Sequence, residues 1–110
     1  MHLNHYQSLA ARTINPDNDK AAMLAHALHG LCAEVGEVHS IFQKQYQGHE
    51  PTHDHLKKEL GDCLWMIAEA CTACDFSLEE IARMNIDKLK ARYPEGFKTE
   101  NSLNRKEGDI

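Results

Sequence analysis

Residues 20–47, KAAMLAHALHGLCAEVGEVHSIFQKQYQ, decide the fold. Within them Leu24, Leu28, Leu31, Val35, Val38 and Phe42 recur at spacings of 4, 3, 4, 3 and 4, the period of an α-helix with one apolar face. Gly48-His49-Glu50-Pro51-Thr52 then supplies helix breakers. Residues 53–74, HDHLKKELGDCLWMIAEACTAC, repeat the period through Leu56, Leu60, Cys63, Ile67, Ala70 or Cys71, and Cys74. Two long amphipathic helices joined by so short a connection are expected to lie side by side and antiparallel.

Working outward, Asn4 is expected to cap a short helix that runs to about Arg12, and Asn15-Pro16-Asp17-Asn18 reads as a turn. After the second long helix, Ser77 with Glu80 forms a capping-box pattern. It opens a further helix with Leu78, Ile81, Ala82 and Leu89 on its apolar face, ending before Pro94. Residues 95–110 show no sustained period and are expected to form a loosely packed polar tail. No stretch alternates as a strand does, so the class is all-α.

A chain of 110 residues has room for one domain, so the whole sequence is read as one. Its 42% hydrophobic and 26% charged residues are those of a folding globular chain. Helices this few and narrow bury little, so the bundle is expected to be completed by homo-oligomerisation. Trp65, nearly opposite the Leu60, Cys63 and Ile67 stripe, points the same way, because it would otherwise be an exposed aromatic.

A net charge of −5 argues against a nucleic-acid partner. No apolar run approaches the roughly 20 residues of a membrane span, and Met1 to Ala11 lacks the layout of a secretory signal. The expected address is the cytoplasm, where Cys32, Cys63, Cys71 and Cys74 remain thiols.

The chemistry lies in the acids. Glu34 and Glu37 stand three apart on the first long helix, and Glu59 and Asp62 three apart on the second, so each like-charge pair shares a face. At about 100° per residue both pairs sit at about 80° and 140° from their stripe centres, in the same rotational sense. On antiparallel neighbours packed stripe to stripe, all four converge at nearly one height. Such a cluster calls for a cation, and hard oxygen donors suit Mg²⁺ or Mn²⁺, with substrate phosphates as further ligands. The bland alternative is a set of solvated surface acids. Asn85 falls inside the next helix's apolar face and asks for a hydrogen-bond partner, either backbone or a metal-bound nucleotide; Lys88 and Arg92 follow on the same side as phosphate contacts or solvated cations.

With these residues in place, the chain resembles the MazG-like nucleoside triphosphate pyrophosphohydrolases of the all-α NTP pyrophosphatase superfamily. The resemblance rests on Glu34-Val35-Gly36-Glu37 and Glu59-Leu60-Gly61-Asp62, twenty-one residues apart. Gly30-Leu31, Leu64-Trp65 and Asn85-Ile86-Asp87-Lys88-Leu89 leading to Arg92-Tyr93-Pro94 extend it over about His5 to Arg105. It implies Mg²⁺-dependent hydrolysis of an NTP or dNTP between the α and β phosphates, to a nucleoside monophosphate and pyrophosphate. It further implies Glu34, Glu37, Glu59 and Asp62 as metal ligands, with Glu37, and beside it Glu34, as catalytic carboxylates. Asn85, Lys88, Arg92 and, seven residues beyond Glu37, Lys44 would hold the substrate. Met66 and Cys63 depart from the aromatic and aliphatic residues usual in the family at those positions.

Two other readings compete. Cys71-Thr72-Ala73-Cys74 is a CxxC that, with His26 and His29 or His53 and His55, could hold a transition metal. It lies on a helical stripe, where buried cysteines are ordinary, and no second pair completes it. A non-enzymatic helical homo-oligomeric interaction module would use the acids only for solubility.

Overall fold

The computed structural model describes residues 1–110 as five helices and no strands. They are α1 (Leu3–Ala11), α2 (Lys20–Gln45), α3 (His53–Ala73), α4 (Leu78–Arg92) and α5 (Thr99–Leu103). Side-chain caps define three of the starts. Asp19 accepts from the Ala22 N–H, Thr52 from His55, and Ser77 from Glu80, so each helix begins where an oxygen satisfies an orphan donor. The turn before α2 is held by Asn15, whose side chain accepts from the Asp17 N–H. Gly48, at φ 95°, closes α2 and lets the His49 N–H reach the Lys44 carbonyl.

The long helices α2 and α3 pair as expected. His26 meets Glu69, Gly30 faces Met66, and Glu34 faces Glu59 and Asp62, so position rises along α2 as it falls along α3. The face used differs from the apolar stripe. Ala27 and Ile41 are buried along this contact, whereas Leu28, Val35 and Phe42 on α2 and Leu60 on α3 stay about half exposed. The reason is size: Ala27 and Gly30 admit the neighbouring helix closely, and Met66 packs directly over Gly30. Leu24, Leu31 and Val38, on the near edge of the α2 stripe, are partly covered, and its far edge is left open in a single chain.

Helix α1 lies across α3 and the start of α4. Tyr6 and Ala10 pack on the small core of Ala68, Cys71 and Leu78. Trp65 is therefore not a free aromatic: α1 covers it, and its Nε1–H donates to Thr13 Oγ1 at 2.8 Å. Asn4 also departs from its expected role. His2 occupies the cap position of α1, and Asn4 Oδ1 instead accepts from the Ser77 hydroxyl at 2.7 Å and the Glu79 N–H at 3.2 Å, capping α4 from a distance. Gln7 completes the splice by donating to the Phe76 carbonyl and accepting from the Leu78 N–H. Between α3 and α4 the chain turns through Asp75 at φ 57°, with Phe76 N–H bonded to Cys71 O and Asp75 N–H to Thr72 O, a Schellman end paired to Lys20.

Helix α4 buries only Leu78; Ile81 and Leu89 stay more than a third exposed. The segment after it is better ordered than its composition implies. Gly96 at φ 87° reverses the chain, Tyr93 stacks obliquely on Phe97 at 5.3 Å, α5 follows, and Gly108 at φ 84° helps bring Asp109 back to Arg92. A two-point ion pair supplies the anchoring that apolar periodicity could not announce.

Candidate metal and nucleotide site

Three of the four expected carboxylates meet. Oxygens of Glu34 on α2 and of Glu59 and Asp62 on α3 all lie within 4.8 Å of one another, each side chain partly buried at the helix contact. Glu34 sits on the same face as Ala27, Gly30 and Ile41, so the small-residue contact carries it to its partners. Glu37, one turn on, is exposed and stands outside the trio, close enough for its charge to act on Glu34. Convergence thus arises from a different face than the stripes, and it gathers three acids with the fourth at the rim.

Electrostatics records the crowding. Burial first, then the charges of Asp62, Glu59 and Glu37, and a hydrogen bond with Glu59, raise the Glu34 carboxyl above its ordinary range. On the other side, His55 Nε2 lies 3.2 Å from Glu59 Oε1. Oxygen-only donors at this spacing fit a hard divalent cation and offer no thiolate or imidazole pair to a softer one. The CxxC does not compete: Cys71 is buried against Ala68 and Leu78, its thiol pushed up by burial, and all four cysteines are free.

Asp62 also borders a second feature. It joins Tyr6, Leu9, Lys58, Gly61 and Trp65 in lining an open cleft of about 700 Å³ between α1 and α3. The Tyr6 hydroxyl is shifted upward, by burial and then by the Asp62 charge, which places it in the field of the acid cluster. Sequence reasoning missed Tyr6 and Lys58, and it assigned Trp65 to an oligomer contact. Lys58 and Trp65 share a face of α3 two turns apart, and docking of α1 brings Tyr6 to them; an aromatic three residues after Asp62 was a usable signal.

The remaining expected residues lie apart within one chain. Lys44 is exposed near the end of α2, roughly 10 Å further along the axis than Glu37 at 1.5 Å per residue. Asn85 is exposed on α4, so water satisfies its amide and the expectation of a buried side chain in need of a partner does not hold within one chain. Lys88 faces a cleft beside residues 101–110. Arg92 is not free for phosphate: its Nε and Nη2 donate to Asp109 at 2.9 and 2.8 Å. His26, considered above as a metal ligand, is committed to the buried Glu69, with Nδ1 at 2.9 Å from both carboxylate oxygens.

A helical hairpin that closes three acids into one oxygen-donor cluster defines an all-α protein with a site suited to a divalent cation. The family described as MazG nucleotide pyrophosphohydrolase domain matches residues 24–97, which span both acid pairs and α4, and the chain belongs to that family. It is thereby a pyrophosphohydrolase-type hydrolase in general terms. The chain is also 30% identical over 105 residues to the "Gene 37 protein" of Mycobacterium phage L5, covering 87% of this chain and 92% of the relative. No solved structure matches it. No helix is long and apolar enough to cross a membrane.

Proposed function

We propose that the chain is a Mg²⁺-dependent nucleoside triphosphate pyrophosphohydrolase, with Mn²⁺ as the alternative ion, that splits an NTP or dNTP between the α and β phosphates. The observation that carries this is the meeting of Glu34, Glu59 and Asp62 beside an aromatic cleft that shares Asp62. A bound divalent cation would neutralise the cluster and polarise phosphoryl oxygens. In this reading Glu37, exposed at the rim, orients and deprotonates the attacking water, with Glu34 beside it. Tyr6 and Trp65 offer apolar faces to a nucleoside, and Lys58 a cation at the same cleft. Homo-oligomerisation belongs to this reading, because Leu28, Val35, Phe42, Ile81 and Leu89 need cover. A second copy over the open face of α4 would enclose Asn85 with it.

The test is a panel of NTPs and dNTPs with Mg²⁺, reading both products. Nucleoside monophosphate and pyrophosphate from at least one member are expected, with Glu37→Gln slower by about 10²- to 10⁴-fold at unchanged helix content. Orthophosphate with a nucleoside diphosphate would contradict the reading. No turnover of any member by the folded wild type would favour the interaction module.

A further inference from the structure

The acid trio is held from outside by a residue that the acid motifs do not contain. His55, Glu59, Asp62 and Met66 recur at spacings of 4, 3 and 4 along α3. They form one line of the face turned to α2, where Glu59 and Asp62 meet Glu34 and Met66 packs over Gly30. His55 begins that line. Its Nε2 lies 3.2 Å from Glu59 Oε1; the His55 side chain is 51% exposed and that of Glu59 17%.

The backbone under His55 is fixed in turn. Thr52, the N-cap of α3, accepts the His55 N–H on its hydroxyl at 3.1 Å, and the Thr52 carbonyl takes the Leu56 N–H at 3.1 Å. Glu59 leans back toward the helix start, as helical side chains do, and meets the imidazole there. An ionised carboxylate only accepts, so Nε2 carries the proton of this bond, and a neutral imidazole supplies it as well as a charged one. Helix stability does not account for the pair. With the acid second, the i,i+4 order is the weaker one, and positive charge at a helix start opposes the dipole. What the bond does is take rotamer freedom from Glu59, one of three oxygen donors that must share an ion.

We propose that His55 is a positioning residue of the metal site: by donating from Nε2 to Glu59 Oε1 it turns that carboxylate to Glu34 and Asp62 before a divalent cation arrives. The proposal rests on the divalent-cation reading of the trio, and not on nucleotide hydrolysis. His55 touches neither ion nor substrate in this assignment. The lone pairs of Glu59 that the imidazole leaves free remain for the cation. Groups that hold a ligating side chain in this way are worth about 10- to 100-fold in metal affinity.

The experiment is titration of the full chain with Mn²⁺ alone, without nucleotide, following the free ion by electron paramagnetic resonance. His55→Ala is expected to bind Mn²⁺ about tenfold or more weaker than wild type. His55→Gln, whose side-chain amide donates without charge, is expected to stay within about threefold of wild type. Circular dichroism checks that both variants keep their helices. A His55→Ala affinity equal to that of a wild type that binds Mn²⁺ is the result of a role in helix stability alone, and a tighter one is that of a counter-charge displaced by metal. Either overturns the proposal and leaves the metal site. A His55→Gln as weak as His55→Ala also overturns it, because the donated hydrogen bond would then not carry the effect. A wild type that binds no Mn²⁺ removes the metal site and the proposal together. Loss in His55→Ala with rescue in His55→Gln, in a chain that hydrolyses no nucleotide, keeps the positioning role and removes the hydrolase reading.

Discussion

Replacing Glu34 by glutamine keeps the shape of the side chain at the α2–α3 contact and deletes one charge from a cluster whose oxygens lie within 4.8 Å of each other. Two like-charge pairs, with Glu59 and with Asp62, are relieved. At that separation each pair costs about 0.9 kcal/mol in a water-like dielectric and about 3.5 kcal/mol at an effective dielectric of about 20. Glu34 is only partly buried, and salt at about 0.15 M screens further, so the lower end applies and the two pairs together amount to about 1–2 kcal/mol. For a chain of this size about 4 °C in Tm accompanies each kcal/mol, so metal-free Glu34→Gln melts about 4–8 °C above wild type.

Magnesium reverses the order. A wild-type site with a Kd of about 0.1–1 mM gains about 1.4–2.7 kcal/mol at about 10 mM Mg²⁺. That corresponds to a rise of about 6–11 °C. The variant, short of one of three donors and one charge, is expected to lose most of this rise. The assay is thermal unfolding followed by circular dichroism at 222 nm (roughly the helix band) in EDTA and in Mg²⁺. A Glu34→Gln protein that melts no higher than wild type without metal, or that keeps the full Mg²⁺ shift, refutes the reasoning.

Other consequences are equally direct. Because the folded state raises the Glu34 carboxyl above its usual 4.5, it binds that proton more tightly than the unfolded chain. Metal-free wild type therefore loses stability relative to Glu34→Gln as pH rises from 4.5 through the raised value, and a difference in Tm that is flat over that interval would be the contrary result. His26→Ala strips the partner from Glu69, whose side chain is 3% exposed, and is expected to cost about 1–3 kcal/mol, read by urea titration. Gly30→Ala gains up to about 1 kcal/mol of helix propensity but drives a Cβ into Met66, itself 2% exposed, at about 1–3 kcal/mol of overpacking. The substitution is expected to destabilise wild type and to stabilise a Met66→Ala background; the same sign in both would show that the two helices do not touch there.

Helix identity was legible in the sequence because it is local. The 4-3-4-3-4 recurrence from Leu24 to Phe42, the breakers from Gly48 to Pro51 and the Ser77 cap locate α2, α3 and the start of α4 to within two residues. Both acid pairs were legible too, since ExxE and ExxD at helical spacing fix which carboxylates share a face. The strongest apolar stripe did not identify the contact within the chain, because close approach selects the smallest residues, Ala27 and Gly30, rather than the most apolar ones.

What tertiary structure alone decided follows from contacts between distant residues. Asn4 caps α4 and not its own helix, because the chain brings α1 against Ser77, and no pattern near Asn4 records that. Trp65 lies against the α1 region beside the cleft of Asp62, Glu37 stands outside the acid trio, and Arg92 answers to Asp109 seventeen residues on. Local periodicity sets which way a side chain leaves its own helix; where that direction ends depends on the crossing of a second element, which hydrogen bonds and close packing fix only once the chain has folded.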